Sequence, residues 1–208
     1  FVTVKFAMSL DGKISTTSGD SKWITGESSR AVAHELRRIS DAIMVGTNTL
    51  RRDHPRLTAR DKQGIPLDKQ PLKIIVDTHG SLPEDSSIFK EPGKTLIATT
   101  NMSQSKFDRL TSQGITVITI PQDETGVSLI KLLEFLGSAG IVNLLVEGGG
   151  TLIGSFFDKG LVDKIHAFLA PMVIGGRDSL SPVEGLGAKD ISQCLELSHI
   201  SVKRIGSD

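Results

Sequence analysis

Five short, nearly continuous apolar runs constrain this chain most: Ala42 to Gly46 (AIMVG), Leu72 to Val76 (LKIIV), Thr95 to Ala98 (TLIA), Ile115 to Ile120 (ITVITI) and Val142 to Val146 (VNLLV). A strand with little polar alternation is buried on both faces, and such strands belong to mainly parallel sheets covered by helices. Apolar residues at three- and four-residue spacing fill the gaps, weakly over Lys106 to Ser112, clearly over Ser128 to Leu136 and then over Thr151 to Lys159. Parallel neighbours need long crossovers, so the alternation predicts an α/β fold.

The two ends read differently. Phe1 to Leu10 (FVTVKFAMSL) predicts a first strand with Val2, Val4 and Phe6 on one face, ended by Asp11-Gly12. A polar loop, ISTTSGDSKWITG, leads to a helix over Ser28 to Ile39, with Val32, Leu36 and Ile39 as its stripe and Thr25 and Ser28 as caps. Near the other end, Lys164 to Val173 and Cys194 to Arg204 read as long strands joined by a Gly-rich loop, which predicts an antiparallel edge on a mixed sheet. The 208 residues suit a single domain. The chain opens at Phe1 without a methionine, so a segment of a longer polypeptide is one expectation.

Charge narrows the function. Lys and Arg number 24 and Asp and Glu 24, a formal net charge of zero, which removes the broad positive field of a nucleic-acid binder. An anionic ligand must be held locally. No run approaches the ~20 apolar residues of a membrane-spanning helix, and no secretory signal pattern opens the chain, so the expected location is the cytoplasm. The single Cys194 reads as a structural thiol in a reducing compartment. His34, His54, His79, His166 and His199 are dispersed, and no metal site is expected.

Two stretches carry candidate chemistry. In LLVEGGGTLIG a buried strand runs through Gly148-Gly149-Gly150-Thr151 into a helix. Bare backbone N–H groups and a helix dipole then meet at the carboxyl end of a strand, which suits a phosphate. A tight turn needing positive φ is the alternative, but three glycines in succession opening a helix at a buried strand's carboxyl end favour the anion. The P-loop lysine is missing, and Ile153 stands where a dinucleotide fingerprint has its third glycine. Glu147 would repel phosphate, which leaves it to accept N–H groups from a heterocycle, a sugar hydroxyl or the turn itself. The second stretch, Asn48 to Arg60 (NTLRRDHPRLTAR), reads as a loop with four arginines around Asp53. Arginine forks suit a phosphate-bearing substrate; Asp53 reads as a proton-handling or amine-holding acid, or as an internal salt bridge. Trp23, alone in its polar loop, either anchors that loop or stacks on a flat ligand.

The segments VKFAMSLDGKI, SGDSKWITG, AVAHELRRISDAIMVG, NTLRRDHPRLTAR, IIVDT, LLVEGGGTLIGSFF, GLVDKI and APMVIGG resemble, in order and spacing, the reductase domain of riboflavin biosynthesis. The resemblance covers essentially the whole chain. It implies a dihydrofolate-reductase-like fold: three α/β/α layers around a mixed, mostly parallel sheet, here with the antiparallel C-terminal edge. It also implies NADPH-dependent reduction of 5-amino-6-(5-phosphoribosylamino)uracil, with hydride delivered to C1′ of an opened, imine-like ribose. By position, Ala7, Trp23, Thr49, Asp53, Thr78 and the segment Gly149 to Ser155, including Gly150, Thr151 and Leu152, resemble cofactor contacts. Ser21, Arg37, Leu57, Arg60 and Glu147 resemble substrate contacts, with the arginines nearest the phosphate. Lys5 matches a lysine near the reaction centre; by alternation it shares a face with Thr3 and Ala7, and otherwise it reads as a surface charge. Asp53, Lys5 and Glu147 are thus the catalytic candidates, with Asp53 expected to orient and Lys5 or a water to supply the proton. His54 stands where the family often has a second acid. The implied partners are the phosphorylated ribosylaminopyrimidine, a second copy in a homodimer and a linked zinc deaminase domain, whose His-x-Glu and Pro-Cys-x-x-Cys signature is absent here. Two alternatives stay open: reduction of the 2,5-diamino pyrimidinone before deamination, and a non-catalytic nucleotide-binding module.

Overall fold

Each apolar run becomes a strand of one sheet in the computed structural model, which describes all residues, Phe1–Asp208. The strands are β1 (Val2–Ser9), β2 (Ala42–Gly46), β3 (Leu72–Val76), β4 (Thr95–Thr99), β5 (Thr116–Thr119), β8 (Leu144–Glu147) and β9 (Lys164–Ala170), in the order β5-β4-β3-β2-β8-β1-β9. All six neighbouring pairs are parallel. A separate antiparallel pair, β6 (Gln122–Asp123) and β7 (Gly126–Val127), had no counterpart in the sequence reading.

The alternation of each strand splits its side chains between two cores. Ile43, Val45, Ile75, Ile97 and Leu145 pack on one face with Leu50, Leu57 and Leu110, beneath α1 (Glu27–Ile39), α2 (Thr47–Asp53) and α3 (Gln104–Ser112). Ala42, Met44, Ile74, Leu96 and Val146 pack on the other with Leu132, Leu136, Ile153 and Phe156, beneath α4 (Leu129–Ser138) and α5 (Gly150–Asp158). The result is the expected three-layer α/β/α architecture.

Four local expectations need correction. The edge strand β9 runs parallel to β1, from Thr3↔Lys164 to Ser9↔Ala170, because α5 intervenes between β8 and β9 and a strand–helix–strand crossover returns in the same direction. Cys194 to Arg204 forms no strand: a β pattern needs a neighbouring ladder, and Leu195, Leu197, Ile200 and Val202 stand exposed without one. Helix α1 starts after Gly26 with no side-chain cap, so neither Thr25 nor Ser28 fills that role. Its buried residues are Ser29 and Ala33, while Ile39 is exposed. Ala33, His34 and Arg37 share one helical face, which turns inward because His34 and Arg37 find partners there in Thr58 and Glu147. Lastly, Thr47–Asp53 is helical where a loop was expected: Leu50 is buried in the core, and Arg51 and Arg52 complement the dipole of the last turn. No helix is long and apolar enough to cross a membrane.

Candidate active site

From β2 the chain steps outward to β3, and from β8 it steps the opposite way to β9. The loops leaving the carboxyl ends of these two adjacent strands therefore diverge, and α/β sheets bind ligands in the crevice so formed. Two clefts meet in it. The larger, about 370 Å³, is lined by Gly46, Arg51, Thr78, His79 and Leu152 among others. The smaller, about 140 Å³, is lined by Ser21, Arg52, Asp53, Gly150 and Glu184 among others. Thr49, Gly149 and Thr151 line both.

The glycine turn lines both clefts, and its backbone has the positive φ that the tight-turn reading requires. Gly148 and Gly149 have φ 69° and 81°, which L side chains seldom adopt. A Cβ on Gly149 would also come within 2.8 Å of Thr49 Oγ1, so the first turn of α2 can lie against the strand end only if this position is bare. The N–H groups of Gly150, Thr151 and Leu152 precede Ile153, the first donor bonded within α5, and the three residues line the crevice at the helix's positive dipole end. Gly154 is a contributor that motif spacing overlooked. A Cβ there would lie 2.2 Å from the Glu184 carbonyl oxygen, so Gly154, one place beyond the absent fingerprint glycine, lets the Ser181 to Gly185 segment pack on α5. Glu184 then accepts the Thr151 hydroxyl at 2.8 Å.

On the sheet face beneath α1, Lys5 and Glu147 are register partners on β1 and β8. Arg37, from the charged stripe of α1, donates Nε to Oε1 at 2.7 Å and Nη2 to Oε2 at 2.8 Å. Burial would raise the carboxyl pKa of Glu147, but this fork, aided by Lys5, holds it at about 2. Burial lowers the Lys5 pKa, which Glu147 opposes and Arg37 reinforces. The Lys5 ammonium also stands 5.6 Å from the Phe168 ring centroid. His34 is shifted down by burial and by Arg37. Arg37 and Glu147, expected as separate substrate contacts, are thus one buried bidentate pair.

Thr58 links this cluster to the basic stretch. Its carbonyl accepts Arg37 Nη1 at 3.2 Å and its hydroxyl accepts Arg60 Nε at 2.9 Å. Arg60 Nη2 is buried without a hydrogen-bond partner, its nearest carboxylate oxygen being Glu91 Oε2 at 3.8 Å. Glu91 also pairs with Arg56 at 3.0 Å, and its carbonyl accepts the fully buried Lys73 ammonium. Neither Glu91 nor Lys73 had a signal in the sequence: both act through backbone and ion-pair contacts with residues distant along the chain. Asp53 forms no ion pair with its flanking arginines. It accepts the Ser21 hydroxyl at 3.0 Å, while its carbonyl accepts Lys22 Nζ at 2.6 Å, tying the polar loop to the end of α2.

The remaining candidates are less central. Trp23 is 68% exposed and stacks on Arg30, 4.6 Å from guanidinium to ring, so it does not anchor the loop in the core. Leu57 is buried at φ 52° beside Thr58, a backbone strain that surrounding structure must maintain. Ala7 pairs with Phe168 across β1 and β9. Ala7, Trp23 and Leu57 line neither cleft, and neither do Lys5, Arg37, Arg60 and Glu147. No group of three or more His, Cys, Asp or Glu side chains is arranged to hold a metal ion.

Comparison with known proteins places these features in a lineage. The model of the RibD C-terminal domain matches residues 1–208. Riboflavin biosynthesis protein RibD of Actinobacillus pleuropneumoniae is 37% identical over 210 residues, covering 100% of this chain and 55% of that protein. The 2,5-diamino-6-ribosylamino-4(3H)-pyrimidinone 5′-phosphate reductase of Methanothermobacter thermautotrophicus is 35% identical over 208 residues, covering 100% of the chain and 94% of that protein. Among solved structures, Acinetobacter baumannii RibD superposes with TM-score 0.83 at 27% identity, over 100% of this chain and 55% of that one. The chain thus spans about half the length of the RibD proteins it matches, and it shares their dihydrofolate-reductase-like fold. Matched from its first residue to its last, the chain belongs to the RibD C-terminal domain family.

Proposed function

We propose that this chain is the reductase unit of a riboflavin-pathway enzyme. It uses NADPH to convert 5-amino-6-(5-phosphoribosylamino)uracil to 5-amino-6-(5-phosphoribitylamino)uracil. The observation that carries the reading is the end of β8, where a helix N-terminus follows closely on Glu147, the register partner of Lys5 and ion-pair partner of Arg37. A pyrophosphate fits the N–H groups of Gly150, Thr151 and Leu152 at the glycine turn, and on binding it displaces the Glu184 carboxylate that holds the Thr151 hydroxyl there. When bound, the dinucleotide supplies a hydride.

The chain's own residues do the rest. Asp53, braced by Ser21, orients the nicotinamide end or a substrate amine. The Arg37–Glu147 pair fixes the floor against which the pyrimidine lies. The unused Arg60 donor takes the substrate phosphate. Hydride arriving at an imine-like carbon leaves negative charge on nitrogen, and Lys5 Nζ holds the proton that neutralises it. Because burial makes that proton easier to release, kcat should decline as pH rises through the lowered lysine pKa, and Lys5→Met should lose both most of the rate and that alkaline limb. An unchanged limb in Lys5→Met would assign the proton to another group. Arg60→Lys keeps the charge but not the fork, so KM for the phosphorylated substrate should rise by the equivalent of ~1–3 kcal/mol. Equal penalties on phosphorylated and dephosphorylated substrates would remove Arg60 from the phosphate site.

We further propose a linked deaminase domain in the full-length protein, a cytoplasmic setting suited to the free thiol of Cys194, and a homodimer. The open edge of β9 and the exposed Leu195, Leu197, Ile200 and Val202 support the last. A second substrate reading, the 2,5-diamino pyrimidinone, draws on the Methanothermobacter relative, almost all of whose length this chain covers. Following NADPH absorbance with both pyrimidines side by side decides between them. Turnover of the uracil alone supports the first reading and of the pyrimidinone alone the second, while no oxidation with either leaves a nucleotide-binding module.

A further inference from the structure

The larger and smaller clefts share the N-terminus of α5, so a dinucleotide with its pyrophosphate there sends one half into each. This rests on the reading above, which puts the reacting half beside Ser21 and Asp53 in the smaller cleft. The adenosine half then lies in the larger one, between the ends of β2 and β3, where the groups available to its ribose decide which dinucleotide fits.

Asp77 is the only carboxylate lining that cleft. It follows β3 directly, and a carboxylate with free oxygens there could accept the hydroxyls of a ribose diol. Its oxygens are committed elsewhere. Oδ1 accepts the Ser81 N–H at 3.0 Å and the Ser81 hydroxyl at 3.1 Å, and Oδ2 accepts the Leu82 N–H at 2.8 Å. The residue is 1% exposed: it closes the turn after β3 and offers nothing to a diol. The cleft presents a cation instead. Arg51, on the exposed side of α2, lines it together with His79 and Ser81. Arg51 forms no ion pair, and its one side-chain hydrogen bond runs from Nη2 to the Ser81 carbonyl. That contact holds the guanidinium over the turn with its other donors free, a planar fork suited to a dianionic phosphate.

We infer that Arg51 is the specificity-determining residue that selects a 2′-phosphorylated adenosine, with the His79 side chain beside the same phosphate. The chain prefers NADPH to NADH because Asp77 is withdrawn and Arg51 is offered.

The test uses the full chain and two probes that need no turnover, 2′,5′-ADP and 5′-AMP, titrated calorimetrically. Wild type should bind 2′,5′-ADP about tenfold or more tighter, the scale of one charge-assisted hydrogen-bonded contact. Arg51→Gln should lose most of that preference with 5′-AMP affinity unchanged, and Arg51→Lys should recover part of it. Arg51 is exposed, so the variants should fold, which circular dichroism checks. Equal binding of the two probes by wild type, or an undiminished preference in Arg51→Gln, would overturn the inference while leaving the cradle in place. Binding of neither probe overturns both.

Discussion

Replacing Arg37 with methionine should lower the unfolding free energy by about 3–5 kcal/mol, the range for stripping one partner from a buried ion pair. Glu147 is 6% exposed and has both oxygens on the Arg37 fork, so the substitution strands a carboxylate under α1. Urea denaturation measures the loss. The double variant Arg37→Met/Glu147→Leu should regain most of it, since an apolar pair of similar volume needs no compensation, yet it should remain inactive if the pair orients substrate. A loss below about 1 kcal/mol in the single variant would mean that water reaches Glu147 freely. The same pair sets an acid limit. Its carboxyl sits at about 2 in the fold against an ordinary 4.5, a depressed folded value, so its contribution is complete above the unfolded value and drains away as pH falls from about 4.5 toward 2. On the order of 3 kcal/mol is at stake, and the acid-side slope should flatten in the double variant.

Gly149→Val should weaken NADPH binding by about a hundredfold or more, in addition to its effect on folding. A β-branched residue at φ 81° is strained and its Cβ meets Thr49 Oγ1 at 2.8 Å, which should cost about 1–3 kcal/mol of stability. Relief of that contact pushes the turn or Thr49 into the space between the clefts and moves the N–H groups that receive the pyrophosphate. Fluorescence titration of NADPH against a denaturation curve separates the two effects. Cofactor affinity that falls only in step with stability would reduce the glycines to a tight turn.

Legibility from sequence followed the physics of each element. AIMVG and LKIIV became β2 and β3 with unchanged bounds, because a doubly buried strand needs apolar side chains on both faces. The glycine turn was visible because positive φ and close approach both call for glycine. Helix α1 was found, and Leu36 of its expected stripe packs on the core while Ile39 is exposed, because apolar periodicity cannot register a helix that turns Arg37 and His34 inward. The Arg37–Glu147 pair spans 110 positions, and only the neighbouring of β8 and β1 brings Glu147 beside Lys5. Arg60 was legible as a phosphate candidate, whereas Glu91 and Lys73, which shape its surroundings, were not. Nor did a β-like alternation in Cys194 to Arg204 suffice for a strand, since that requires a ladder to join.

The most direct test of a hydride transfer across this crevice is to follow the label. The chain is incubated with NADPH carrying deuterium at both C4 positions and with 5-amino-6-(5-phosphoribosylamino)uracil, and the product is examined by mass spectrometry and NMR. One deuterium at C1′ of the ribityl chain, matched to one NADPH oxidised, is the expected result. NADPH oxidation that leaves the product unlabelled, or no oxidation with this substrate, would contradict it.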